Sequence, residues 1–159
     1  MIEFLQNLPP EIATFFLSMI PIFELRGAIP IAIGVFDLPV WKAVFFSIIG
    51  DIVPAIFIVL LLKPLSEWLS SRFDFCKRFF DWWFNRVVKK FAKKYEKYGV
   101  WALMVFVAIP LPITGAWTGA AASFLFEIPK KKAIVFITLG AIISAFIVAG
   151  LATGIFVFF

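Results

Sequence analysis

Glu24, Arg26 and Asp51 are charged side chains set in stretches otherwise almost free of charge. Glu24 and Arg26 share the short run Pro21-Ile22-Phe23-Glu24-Leu25-Arg26-Gly27, which separates apolar residues 12–20 from apolar residues 28–36. Asp51 is the thirteenth residue of the 24-residue stretch 39–62. A charge at the centre of a bilayer costs about 2.5–3.5 kcal/mol on insertion scales, so each of the three needs a role or a partner. Arg26 carries a planar guanidinium that can meet a phosphate or carboxylate through two parallel hydrogen bonds. Glu24 and Asp51 suit proton carriage, because burial and a neighbouring arginine pull a carboxylate's proton affinity in opposite directions. A site that trades a substrate anion for a proton beside one arginine would couple the two. The competing reading is a structural salt bridge, Arg26 with Glu24 or Asp51. Further polar groups cluster at 114–118. Thr114 and Thr118 offer hydroxyls, and Trp117 a stacking or lipid-contact face. Half-helix N-termini at the Gly27 and Gly115 turns would add amide donors and the positive end of a helix dipole. The expected substrate-binding set is therefore Arg26, Gly27, Thr114, Gly115, Trp117 and Thr118, with Glu24 and Asp51 as the proton-coupling pair. Gly34, Gly50, Gly119, Gly140, Gly150 and Gly154 are read as aids to close helix packing, without a ligand.

What must position these groups follows from composition. The chain has 159 residues, is 63% hydrophobic, and contains 22 Phe and six Trp. Its mean hydropathy is +1.03. Globular chains are about 45–50% apolar even with glycine counted, so the solvent for this one is lipid. There is no histidine, which removes histidine acid/base catalysis, Ser-His-Asp triads and most zinc or haem sites. The single cysteine, Cys76, precludes an internal disulfide. No metal and no cofactor are expected, and no enzyme: a lipid phosphatase would want a histidine nucleophile or acid. Thirteen of the 15 Lys and Arg lie between Lys63 and Lys97 or in Lys130-Lys131-Lys132. In so apolar a chain, these tracts read as cytoplasmic loops facing anionic headgroups rather than as a nucleic-acid surface. The N-terminus MIEFLQNLPPE is acidic, lacks a small-residue cleavage site after its apolar stretch, and is not expected to be a cleaved signal.

Residues 39–62 and 133–159 are long enough to span a hydrocarbon core of about 30 Å. Two other apolar stretches are interrupted, the first around Pro21 and Pro30, the second at Pro110 and Pro112, leaving arms of roughly half a bilayer each. Broken backbone survives at membrane depth only when buried in protein or lining a wet cavity. Each interrupted stretch is therefore expected to be a re-entrant hairpin, with a kinked spanning helix as the alternative. Charge agrees: with two hairpins, the basic tract and the triple lysine share the cytoplasmic face, and both termini lie outside.

The halves also match at an offset of 90. Phe36, Pro39, Lys42, Ala43, Phe46, Gly50, Ile52 and Ala55 recur as Phe126, Pro129, Lys132, Ala133, Phe136, Gly140, Ile142 and Ala145, and Asp37 is answered by Glu127. Hairpin plus span is an odd number of crossings, so tandem copies must face opposite ways, the inverted repeat of many secondary transporters. Residues 64–98 step in threes and fours between them and read as an amphipathic helix or two at the membrane interface, either a connector lying on the lipid or a partner-binding helix. The expected fold is an all-α integral membrane protein of one domain: repeat 1 over 1–62, an amphipathic cytoplasmic-face linker over 63–98, and repeat 2 over 99–159. A protomer with two full spans encloses little, which points to a homodimer in the cell membrane.

The segments F-E-L-R-G-A-I-P at 23–30 and P-L-P-I-T-G-A-W-T-G-A at 110–120 resemble the signatures of the small multidrug export family. That family is itself similar to the DedA (VTT, SNARE-associated Golgi) membrane proteins. The resemblance implies two opposed re-entrant hairpins, each followed by a spanning helix, and a role in moving polyprenyl phosphates or phospholipids between leaflets. On it, Glu24 would be the hairpin acid, Arg26 the phosphate-facing arginine and Asp51 a second acid. The chain departs from the DedA pattern at the second tip, Pro112-Ile113-Thr114-Gly115, which carries no arginine. The leading expectation is a transporter or flippase of an amphipathic anionic, lipid-like substrate, with proton coupling. Export of lipophilic cations by Glu24 and Asp51 is the second, and a non-transporting membrane scaffold that recruits partners through 64–98 the third.

Overall fold

A computed structural model describes residues 8–111 and 114–154. Seven α-helices make up these residues: α1 (Pro10–Met19), α2 (Glu24–Gly34), α3 (Val40–Arg72), α4 (Asp74–Tyr98), α5 (Trp101–Ala108), α6 (Ala116–Leu125) and α7 (Lys130–Ala152). No strand occurs among the described residues.

Two of the helices are long and apolar enough to cross a membrane, α3 through Leu69 and α7 over its whole length. Their outer faces carry exposed Trp41, Phe45, Phe57, Val135, Phe146 and Leu151, side chains that only lipid would welcome. Their inner faces are built from small residues: Ala43, Ala133, Ala141 and Ala145 are fully buried. Helices in lipid gain little from apolar burial against one another, so close backbone approach through small residues does the packing.

The first span is longer than its apolar stretch. Helix α3 continues past Leu62 and through Pro64 to Arg72. Proline at 64 takes away the amide that would bond the carbonyl of Leu60. That carbonyl lies 3.4 Å from the Lys130 ammonium, which supplies a replacement donor. The amphipathic segment is a separate helix, α4, ended by Gly99 in a positive-φ conformation that glycine adopts without penalty. Instead of lying wholly on lipid, α4 presses one aromatic face into the protein. Phe91 is fully buried, 5.3 Å from Phe106 and 5.0 Å from Phe126 between ring centroids, while Phe84 packs 5.7 Å from Phe124. Offset and edge-on rings at such distances attract beyond their area burial.

The interrupted stretches resolve into helix pairs, α1 with α2 and α5 with α6. Helix α1 packs on α3 as α5 packs on α7, and both α2 and α6 sit against α3 and α7 together. Local geometry recurs as well, at offsets of 89 and 90. The chain leaves α1 at Ile20 with φ −77° and leaves α5 at Ile109 with φ −78°. Asp37 and Glu127 both take φ +51°, and Pro39 and Pro129 then lead into α3 and α7. At Glu127 the turn is a full Schellman motif, with Glu127 N–H to Phe124 O at 3.2 Å and Ile128 N–H to Ser123 O at 2.8 Å. Gly50 abuts the Phe15 carbonyl on α1, and a Cβ on Gly140 would lie 2.7 Å from the Met104 carbonyl on α5. These two glycines thus do the close packing expected of them.

One expected break is not one. Pro30 lies inside α2, which runs through it; the interruption is confined to residues 20–23. Only the Arg26 carbonyl loses its intrahelical donor there, and a single missing bond near the end of a packed helix is survivable. Pro21 and Pro110 do sit in the breaks, and Pro112 lies outside the described residues.

Candidate functional site

The two breaks meet. Arg26 reaches from the first turn of α2 across to the second break, where its guanidinium donates to the backbone carbonyls of Leu111 and Thr114. The Thr114 hydroxyl is 3.3 Å from the same guanidinium. Pro110 ends the helical ladder of α5 before them, so both carbonyls lie outside a helix, and that of Leu111 also accepts from the Thr114 N–H and hydroxyl. The arginine is therefore a clamp that ties the first turn of α2 to the backbone of the second break.

Glu24 faces the same junction. It is 7% exposed and holds φ +47°, a conformation disfavoured for any residue with a Cβ. Its backbone N–H bonds Ile20 O at 2.8 Å, and its carboxylate stands 3.8 Å from Arg26 Nε. Its carboxylate oxygens lie against Gly115, the N-cap of α6. Glu24 therefore occupies the N-terminus of α6, where free amides and the helix dipole favour an anion. A Cβ at Gly115 would collide with the carboxylate, so glycine there is what lets the acid in. Non-glycine positive φ that persists in a packed setting is stored strain, and such residues concentrate at functional positions.

Asp51, on α3, is 1% exposed and its Oδ1 has no hydrogen-bond partner among the described residues. It interacts electrostatically with both Glu24 and Arg26. The three charges singled out by spacing thus face one another as a cluster, with Glu24 and Asp51 buried and Arg26 partly exposed.

The remaining expected residues divide. Trp117 and Thr118 line the large cavity described below, and the buried Trp117 Nε1 has no partner. Thr114 also lines it, but its hydroxyl already lies 2.8 Å from the carbonyls of Ile109 and Leu111 and is spent on the turn. The Gly27 N–H bonds Phe23 O at 2.8 Å within α2, so it is not free for a substrate. The α6 N-terminus at Gly115 holds Glu24 rather than an open anion site.

Beside the cluster lies a cavity of about 1020 Å³. Its walls come from both breaks, from Ile58, Leu62 and Leu65 of α3, and from Phe79, Phe80, Trp82, Trp83 and Arg86 of α4. The α4 residues were not among the expected site. Their signal was the dense aromatic run Phe79-Phe80-Asp81-Trp82-Trp83-Phe84, more aromatic than an interfacial connector needs. The charged residues of the lining are Glu24, Arg26 and Arg86, and the rest is mostly apolar. Such a space, apolar with a few convergent polar groups, is the usual form of a small-molecule site. Among the described residues no group of acids and Cys is arranged to hold a metal ion.

Residues 24–147 match the family described as "Putative small multi-drug export protein". The match begins at Glu24 and takes in Glu24, Arg26, Asp51, the second break, the α3 and α4 walls of the cavity, and all but the last turn of α7. No curated protein and no solved structure matches the chain.

Proposed function

Because the chain belongs to this small multi-drug export family of membrane proteins, we propose that it is a transporter whose cavity receives an amphipathic molecule with an anionic head. The observation that carries this reading is the cavity's own chemistry: a mostly apolar space with two arginines against one carboxylate, and that carboxylate already paired. An anionic head with an apolar tail complements both features. A polyprenyl phosphate or a phospholipid has that form, in keeping with the resemblance to the DedA proteins.

The plan that supports transport is a pair of re-entrant hairpins, α1–α2 and α5–α6, entering from opposite leaflets and each followed by a span. Its supports are the matched turns at Asp37 and Glu127, the matched glycine contacts, and the contact of Lys130 with Leu60 near the far end of the first apolar stretch. That contact sets the triple lysine beside the end of α3 that leads into basic α4. On the positive-inside rule this face is cytoplasmic and both termini are outside. Glu24 and Asp51 would carry the coupled proton: with Arg26 they sum to −1 when both acids are ionised and to zero with one proton bound. A homodimer would complete the enclosure that two spans leave open.

The family description favours a second reading, export of lipophilic cations, for which Glu24 and the aromatic wall would be the contacts. Proteoliposomes separate the two. Faster leaflet exchange of a labelled polyprenyl phosphate than in empty vesicles supports the first. Accumulation of a lipophilic cation under a pH gradient, with no exchange of the phosphate, overturns it in favour of the second.

A further inference from the structure

Arg26 and Arg86 both line the cavity, yet they differ in what they have left to give. Arg26 spends its guanidinium on the carbonyls of Leu111 and Thr114, and turns its Nε toward Glu24. Drawing it off would take from the Leu111 and Thr114 carbonyls the charged donor that ties the second break to α2. Arg86 is exposed on α4 and, among the described residues, makes no hydrogen bond or ion pair. Its guanidinium rests over the Trp82 ring at 4.9 Å from the centroid, a cation–π contact that holds it in place while leaving its N–H groups free. The two residues stand one helical turn apart, so they share the face that α4 turns to the cavity.

We propose that Arg86, steadied by Trp82, is the residue that takes the anionic head of the cavity's ligand, a phosphate on an apolar tail, and that Arg26 is the clamp that holds the cavity's shape. Helix α4 is then the recognition wall of the site and not only a connector between the halves. The tail lies along the apolar lining, with Leu62, Phe80 and Trp83 within it. This assignment rests on the amphipathic-anion reading above and specifies which side chain delivers it.

The test uses the full chain in phosphatidylcholine nanodiscs, with radiolabelled dodecyl phosphate as probe. Inorganic phosphate and dodecyltrimethylammonium serve as competitors, and the variants are Arg86→Gln, Arg86→Lys and Lys89→Gln. Arg86→Gln is expected to weaken dodecyl phosphate binding about tenfold, the low end for a lost charged hydrogen bond at an open site. Arg86→Lys should retain part of the affinity, and Lys89→Gln, the same charge loss on α4 away from the cavity, should change nothing. Inorganic phosphate should compete poorly, since it has no tail. Exposed Arg86 can be replaced without unfolding the chain, which an unchanged thermal midpoint would verify. Parent-like binding by Arg86→Gln, or an equal loss in Lys89→Gln, overturns the assignment while leaving the transport reading intact. Saturable binding of dodecyltrimethylammonium with no saturable binding of dodecyl phosphate overturns both.

Discussion

Removing the charge of Arg26 tests whether the junction of the two breaks is held as described. In Arg26→Gln, the carbonyls of Leu111 and Thr114 lose a charged donor and the Glu24 carboxylate loses its ion-pair partner. Breaking a buried pair from one side costs about 3–5 kcal/mol, chiefly because the other charge is left stranded. At the 3.8 Å separation of Arg26 Nε and Glu24 Oε2, Coulomb's law with an effective dielectric of about 20 gives an attraction of about 4 kcal/mol. Both side chains keep some access to solvent, so the measurable coupling should fall to about 1–3 kcal/mol. Glu24→Gln removes the stranded charge. The double variant should therefore be more stable than the sum of the single losses implies, by that coupling. Unfolding free energies from SDS titration in mixed micelles, measured for the parent, both single variants and the double, complete the cycle. Losses that add to within about 0.5 kcal/mol would show that the pair contributes nothing. An Arg26→Gln variant as stable as the parent would refute the clamp itself.

Three further expectations concern the rest of the molecule. Gly50→Ala and Gly140→Ala should each cost about 1–3 kcal/mol, because the new methyl meets a neighbouring helix backbone, whereas Gly34→Ala, with open space around it, should stay within about 0.5 kcal/mol of the parent in the same titration. Glu11, at the mouth of α1, bonds the Lys42 ammonium at 2.9 Å, which holds its carboxyl below the ordinary value of 4.5. The stability it adds is present above about pH 4.5 and is lost as pH falls through the lowered value. The thermal-midpoint difference between parent and Glu11→Gln should accordingly be seen at pH 6 and shrink steadily as the pH is taken below 4.5. In a Cys76→Ser background, single cysteines at Lys77 and Lys131 should react with an impermeant maleimide from the cytoplasmic side, and one at Asp37 from the other. Labelling of Lys77→Cys and Lys131→Cys from opposite sides would refute the two-hairpin plan.

The sequence alone determined the solvent, the elements and the suspects. A composition of 63% hydrophobic residues set the membrane before any contact was known. Prolines 21 and 110 marked the breaks because a missing amide is a local property of the chain. Glu24, Arg26 and Asp51 stood out because a charge in an apolar run is legible without a fold. The match of Asp37 with Glu127 was legible too, and it surfaced as the same left-handed turn in both places. Tertiary structure decided how the suspects are employed. Spacing could not say that Arg26 bonds carbonyls 85 and 88 residues away, nor that Glu24 fills the α6 N-terminus expected to be open to a substrate. Pro30 looked like a break and is not, because whether a helix survives one lost bond depends on what packs around it. Helix α4 carried the same ambiguity: an amphipathic pattern says that one face seeks apolar company, while only the packing of Phe84 and Phe91 against α5 and α6 shows whether that company is lipid or protein. Periodicity along a chain fixes which side chains share a face, but which two faces meet is a property of the whole fold.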